Sequence, residues 1–257
     1  MPSIEDRYEP PGLHLIALEA RLALEAILAR LARSRYAEWP RGDGHPVMVL
    51  PGFGASDGFT TSLRRFLTEL GYAAYPWKQG FNLGRRKGLR GKLLARIARL
   101  ADRHGTNVSL VGWSLGGVFA RGLAVTDPDH LRWVIALGSP FLCGPEATNA
   151  RFGLNLVKRV TGRAAVTPPP VTLPEPQVPV TSIFTRTDGI VPWRACLQPT
   201  GPITENIQLI ASHLGLLHNP LSRYALADRL NQAPGDWRPF LSRPPFGRWV
   251  TPYDGVA

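Results

Sequence analysis

At 257 residues the chain is long enough to bury a sizeable core within a single open α/β unit, and its 44% hydrophobic content is ordinary for a globular protein. Thirty Lys and Arg against nineteen Asp and Glu leave a formal charge of +11, which draws anions to the surface without specifying a fold. Two cysteines, Cys143 and Cys196, lack any C-x-x-C spacing, which excludes a thiolate zinc cluster and a multi-bridge disulfide scaffold; two free thiols are expected, with a single disulfide as the alternative.

Residues 1–12 (MPSIEDRYEPPG) have no basic stretch feeding an apolar one, so no secretory signal is read there. No run of about 18 apolar residues occurs, so no transmembrane helix is expected. The expected location is cytoplasmic, with residence at an anionic membrane surface left open. Residues 13–35 carry Leu15, Leu18, Leu22, Leu24, Ile27, Leu28 and Leu31 at helical steps, with Glu19, Arg21, Glu25, Arg30 and Arg33 in the remaining positions. This pattern predicts an amphipathic helix within an N-terminal segment 1–40, packed by its apolar face on a domain spanning 41–257. An amphipathic helix for a membrane or partner is the other reading.

Strands and helices then alternate. Strands are expected at Val47–Leu50, Tyr72–Tyr75, Val108–Val111, Trp133–Leu137, Val178–Thr185 and Ile207–Ile210. Helices are expected over 59–70, 89–103, 115–126 and from Leu221 to Asn231. That rhythm implies βαβ units, a mostly parallel sheet and helices on both faces. The interval 142–177 interrupts it with a helix near 146–161 and a proline-dense stretch, and its position suits a lid. The tail 233–257 is expected to wrap the surface. Arg85–Lys92 with Arg96, Arg99 and Arg103 is a basic run, read as the solvated side of a helix whose leucines pack inward. No stacking motif or recognition module supports nucleic-acid binding.

Gly112-Trp113-Ser114-Leu115-Gly116 follows an apolar strand and opens a helix. In that setting a G-x-S-x-G sequence is a sharp turn that points the serine hydroxyl away from the sheet. Gly112 and Gly116 supply the missing bulk on either side, and the helix N-terminus supplies free N–H donors for developing negative charge.

Through these residues the sequence resembles the α/β-hydrolase family over most of 44–231, and within it the bacterial lipase and esterase branch. Leu50-Pro51-Gly52-Phe53-Gly54 is similar to the segment giving the second oxyanion donor, although many lipases have His-Gly where this chain has Pro51-Gly52. The resemblance implies an oxyanion hole formed by the backbone N–H groups of Phe53 and Leu115. A serine nucleophile needs a base, and the base an orienting acid, in the chain order Ser, acid, His. His213 follows the last apolar run, and Ser212-His213-Leu214-Gly215-Leu216 resembles a stretch of the lipase branch. His218 is the rival base; His130 lies in a turn before the Trp133 strand. Asp188, in Thr185-Arg186-Thr187-Asp188-Gly189-Ile190-Val191-Pro192, follows a strand and matches the family's acid position. Trp113, Phe141 and Trp77 are candidate pocket residues.

The expected activity is hydrolysis of small-molecule or lipid carboxylic esters by Ser114, His213 and Asp188 through an acyl-enzyme, with no metal or organic cofactor. An acyltransferase using the same groups, and a binding protein on this scaffold, are the alternatives.

Overall fold

The computed structural model describes residues 8–162, 173–244 and 246–255, apart from the side chain of residue 161. Seven strands form one sheet: Pro46–Leu50 (β1), Ala73–Pro76 (β2), Val108–Trp113 (β3), Leu131–Leu137 (β4), Val180–Phe184 (β5), Thr204–Leu209 (β6) and Val250–Pro252 (β7). Their spatial order is β2-β1-β3-β4-β5-β6-β7; every pairing is parallel except β6 with β7. Seven α-helices accompany them among the described residues: Leu13–Leu18 (α1), Leu22–Leu31 (α2), Thr61–Glu69 (α3), Leu89–His104 (α4), Leu115–Thr126 (α5), Arg151–Thr161 (α6) and Pro220–Leu230 (α7).

The central strands β1, β3, β4 and β5 are buried end to end because both faces of the sheet are covered. Val47 and Val49 of β1 point into one core with Leu63 and Phe66 of α3 and Ala225 and Leu226 of α7. Met48 and Leu50, one residue out of phase, point into the other with Leu93 and Ile97 of α4 and Ala120 and Leu123 of α5. Leu89, Leu93, Ile97 and Leu100 of α4 are thus buried beneath its basic residues, as the pattern implied, with Leu94 half-buried at their edge.

Several expectations need correction. Strand β6 starts at Thr204, because Glu205 and Asn206 are buried polar residues with partners. Glu205 accepts hydrogen bonds from Thr181 Oγ1 (2.7 Å), Arg229 Nη1 (3.0 Å) and the amide of Phe240 (2.7 Å), so a buried strand carries no apolar run there. The tail does more than wrap: Val250–Pro252 pairs with β6, anchored by buried Val250. In the interval 142–177, a short 3-10 turn at Pro145–Ala147 precedes α6; residues 163–172 lie outside the described residues. Cys143 and Cys196 are free and buried, and burial pushes the Cys143 thiol up to about 12.

The N-terminal segment is helical but faces the other way. Leu13, Leu24, Ile27 and Leu31 are exposed, whereas Glu19, Glu25 and Ala29 are buried. The apolar stripe expected to pack inward turns outward, because the carboxylates find hydrogen-bond donors on the body of the domain. Among the described residues no helix is long and apolar enough to cross a membrane.

Candidate active site

Ser114 sits between β3 and α5 with φ 52° and ψ −122°, a left-handed conformation that costs a non-glycine residue of order 1–3 kcal/mol. The turn is held tight from both sides. A Cβ on Gly116 would lie 2.3 Å from the carbonyl oxygen of Leu50, and one on Gly112 2.4 Å from Cα of Gly117. The segment Pro51–Ala55 lies directly against the turn, since a Cβ on Gly52 would meet the Trp113 ring at 2.8 Å and Ser114 Cβ at 3.1 Å. Among the described residues neither the Phe53 amide nor the Leu115 amide donates a hydrogen bond to the protein, so both are available to a ligand beside Ser114.

Asp188 follows β5, and His213 lies beyond the end of β6. His213 Nδ1 stands 2.7 Å from Asp188 Oδ2, with both side chains buried. Asp188 Oδ1 accepts the amides of Ile190 (2.8 Å) and Val191 (2.7 Å), which fixes the carboxylate. Burial alone would lower the imidazole's affinity for a proton. The adjacent charge of Asp188, its hydrogen bond and the charge of Glu19 outweigh that and raise its pKa above the usual 6.5.

The chain after β6 folds back over the carboxyl edge of the sheet toward β3. Trp113 Nε1 donates to the carbonyl of His213 at 3.0 Å, and the two rings lie 5.5 Å apart. Gly138, at the end of β4, passes beneath the imidazole: a Cβ there would come within 3.0 Å of Nδ1. Ser114, Asp188 and His213 are therefore gathered at one edge. No hydrogen bond joins the Ser114 hydroxyl to the imidazole among the described residues.

A cleft beside Ser114 is lined by Phe53, Leu115, Val118, Leu154, Ile190 and Val191, among others. The candidate pocket residues are not in that lining. Trp77 is in the core on the α4 side, its Nε1 bonded to the Gly80 carbonyl at 2.9 Å. Phe141 is buried beside the Arg121 guanidinium. Trp113 lies under the His213 backbone. Adjacency to the turn points Trp113 to the site, and positions near loop ends point Trp77 and Phe141 there, but packing takes all three rings into the interior. His218 has a lowered pKa, chiefly from burial and then from Arg223, and His130 sits exposed at the amino end of β4.

Two sets of site-supporting residues carried no signal in the sequence. Buried Asn82 donates from Nδ2 to the Pro51 carbonyl (2.7 Å), and its backbone carbonyl accepts from Gly54 (2.8 Å), fastening the segment that bears Phe53. Glu19 and Glu25 reach the loops carrying Asp188 and His213. Among the described residues no three His, Cys, Asp or Glu side chains converge as a metal site would require.

No family model matches the chain. A stretch of 100 residues is 32% identical to pimeloyl-[acyl-carrier protein] methyl ester esterase of Shewanella oneidensis, covering 38% of this chain and 36% of that protein. The chain thus spans about a third of the length of the curated relatives it matches. Among solved structures, Aspergillus fumigatus lipase B superposes with a TM-score of 0.54 at 18% identity, over 78% of this chain and 56% of that one. An α/β hydrolase enzyme from the sediment metagenome of the Mar Chica lagoon, Morocco, superposes with a TM-score of 0.53 at 20% identity, over 73% and 90%.

Proposed function

We propose that this chain, which has the α/β-hydrolase fold, is a carboxylic ester hydrolase with Ser114 as nucleophile, His213 as base and Asp188 as the acid that orients it. The observation that carries this reading is the buried 2.7 Å contact of Asp188 with His213 at the sheet edge that also bears the strained Ser114 turn.

In the reaction, Ser114 Oγ attacks the acyl carbon and its proton passes to Nε2 of His213. The amides of Phe53 and Leu115 take up the negative charge on the former carbonyl oxygen. The alcohol leaves with the proton from the imidazole, and the acyl group stays on Ser114. Water then attacks, giving a proton to His213, and the carboxylic acid is released as Oγ regains that proton. Asp188 holds the ring so that Nε2 faces Ser114 and stabilises the imidazolium; it takes no proton itself. The Ser–His contact forms on this reading when substrate fills the cleft, as such contacts commonly tighten only in the complex. The apolar cleft wall favours the acyl side of an ester, and the esterase named for the Shewanella relative supports that class.

An acyltransferase would run the first half-reaction identically and hand the acyl group to an alcohol or thiol. Ser114→Ala tests the shared core: it removes the attacking oxygen, so turnover of p-nitrophenyl esters falls to background while the variant melts like the parent.

The exposed apolar side of α1 and α2, with Phe152, Leu156 and Val160 exposed on α6 beside the cleft, supports an anionic lipid surface as the place where the enzyme meets its substrate. The formal charge of +11 complements such a surface.

A further inference from the structure

Between α1 and α2, and one turn into α2, the N-terminal segment presents carboxylates to the protein. Glu19 Oε1 accepts the amides of Gly189 and His213, each at 2.9 Å, and Oε2 accepts that of Leu214 at 3.0 Å. Glu25 Oε1 accepts the amide of Ser212 at 2.8 Å and Nδ2 of Asn219 at 3.2 Å, while Oε2 accepts the Ser212 hydroxyl at 2.6 Å. Arg21 lies between them and donates to the Ala211 carbonyl (2.5 Å) and to Thr187 Oγ1 (2.6 Å). Every one of these partners belongs to the chain around Asp188 or around His213.

The two loops are shaped to receive this segment. A Cβ on Gly189, the residue after Asp188, would lie 2.4 Å from the Leu15 carbonyl oxygen. A Cβ on Gly215, two residues after His213, would lie 1.4 Å from Glu25 Oε2. A side chain at Gly189 would collide with the backbone of α1, and one at Gly215 would displace the Glu25 carboxylate. The energetics point the same way. Burying a carboxylate costs several kcal/mol unless hydrogen bonds repay it, whereas turning the leucines inward would be favourable outright. A segment selected for stability alone would bury Leu24 and Ile27; here they are exposed and the carboxylates are inside.

We propose that Glu19 and Glu25 are positioning residues that hold the Asp188 and His213 loops in register with Ser114, which makes the N-terminal helical segment a working part of the active site. This rests on the reading of the site as a serine hydrolase. Glu19 bridges the two loops through Gly189 and His213, so its loss frees one from the other. Glu25 acts on the His213 loop alone.

The test compares Glu19→Gln, Glu25→Gln and, as control, Glu38→Gln, which removes an exposed carboxylate from the same segment. Glu19→Gln places an amide N–H against the Leu214 N–H. It should lower kcat roughly ten- to a hundredfold through misplacement of the base, with KM within about twofold. The acid limb of its pH profile should move to lower pH, because a negative charge that favours the imidazolium is gone. Glu25→Gln should lower kcat with a smaller movement of the limb, and Glu38→Gln should change neither. Amide hydrogen exchange of the protein should accelerate over both 186–191 and 210–215 in Glu19→Gln, and over 210–215 in Glu25→Gln.

The exchange measurement reads the fastening whether or not the protein is an esterase. A parent enzyme without Ser114-dependent turnover overturns the functional reading, and faster exchange in the variants would still uphold the structural link. If Glu19→Gln is too unstable to assay, Glu25→Gln and Arg21→Gln carry the same comparison. Folded variants with parental kcat, pH limb and exchange would overturn the proposal.

Discussion

His213 Nδ1 and Asp188 Oδ2 meet at 2.7 Å in the interior, and the second oxygen of that carboxylate is already committed to the amides of Ile190 and Val191. The carboxylate can therefore only accept from the ring, which places a proton on Nδ1 and leaves Nε2 free to accept one. In Asp188→Asn, Oδ1 would keep the two amides and the new NH₂ group would donate to Nδ1. The ring would then carry its proton on Nε2, the wrong nitrogen for a base. Ester turnover should fall roughly 10⁴-fold, measured as kcat on p-nitrophenyl acetate, while circular dichroism stays that of the parent.

The same contact sets the pH dependence. Burial opposes a charge on the ring, but Asp188 and Glu19 more than compensate, so the imidazole holds its proton to a pH above 6.5. Only the neutral ring can accept the Ser114 proton. Activity should thus rise with pH through a midpoint above 6.5 in kcat/KM, which reports the free enzyme. A midpoint below that value would show that the charge balance around the ring is misassigned.

Glu205 provides a test of the fold remote from the chemistry. Its carboxylate meets Arg229 Nη1 at 3.0 Å, and both side chains are buried. Glu205→Ala would leave the guanidinium with Asp228 as its one anionic partner beside the Arg238 carbonyl, and would orphan Thr181 and the Phe240 amide. Urea unfolding should show a loss of about 3–5 kcal/mol.

The apolar side of α1 and α2 gives a fourth prediction. The protein should float with vesicles containing phosphatidylglycerol and much less with pure phosphatidylcholine. Leu24→Ser combined with Ile27→Ser should weaken that flotation without lowering turnover of a water-soluble ester. Equal flotation by both proteins would remove the surface from the account.

Much of this architecture is written locally. Val47–Leu50 and Trp133–Leu137 are continuous apolar runs because both sides of those strands are covered, and the Gly112–Gly116 turn is marked by residues that only a tight approach requires. The meeting of Asp188 with His213 at one sheet edge follows from their chain order, each lying just past the end of a strand. What escaped is what depends on distant backbone. The donors that bury Glu19 and Glu25 are amides of Gly189, Ser212, His213 and Leu214, and an amide leaves no trace in residue type. A periodicity argument assigns the leucine side to the interior by default; here those hydrogen bonds reversed it. The first residues of β6 are hidden for a related reason, since the buried Glu205 looks like a surface residue until Arg229 is placed against it. Trp77 and Phe141 were expected at the cleft from their loop positions, but their rings pack elsewhere.

Ester hydrolysis by this chain requires Ser114 to be a nucleophile primed by His213. The most direct measurement is reaction of the full-length protein with a fluorophosphonate, followed by mass spectrometry of the labelled peptide. One phosphonyl group per chain is expected, carried on Ser114, with labelling abolished in Ser114→Ala and strongly slowed in Asp188→Asn. A folded protein left unlabelled, or labelled at another residue with Ser114 untouched, would contradict it.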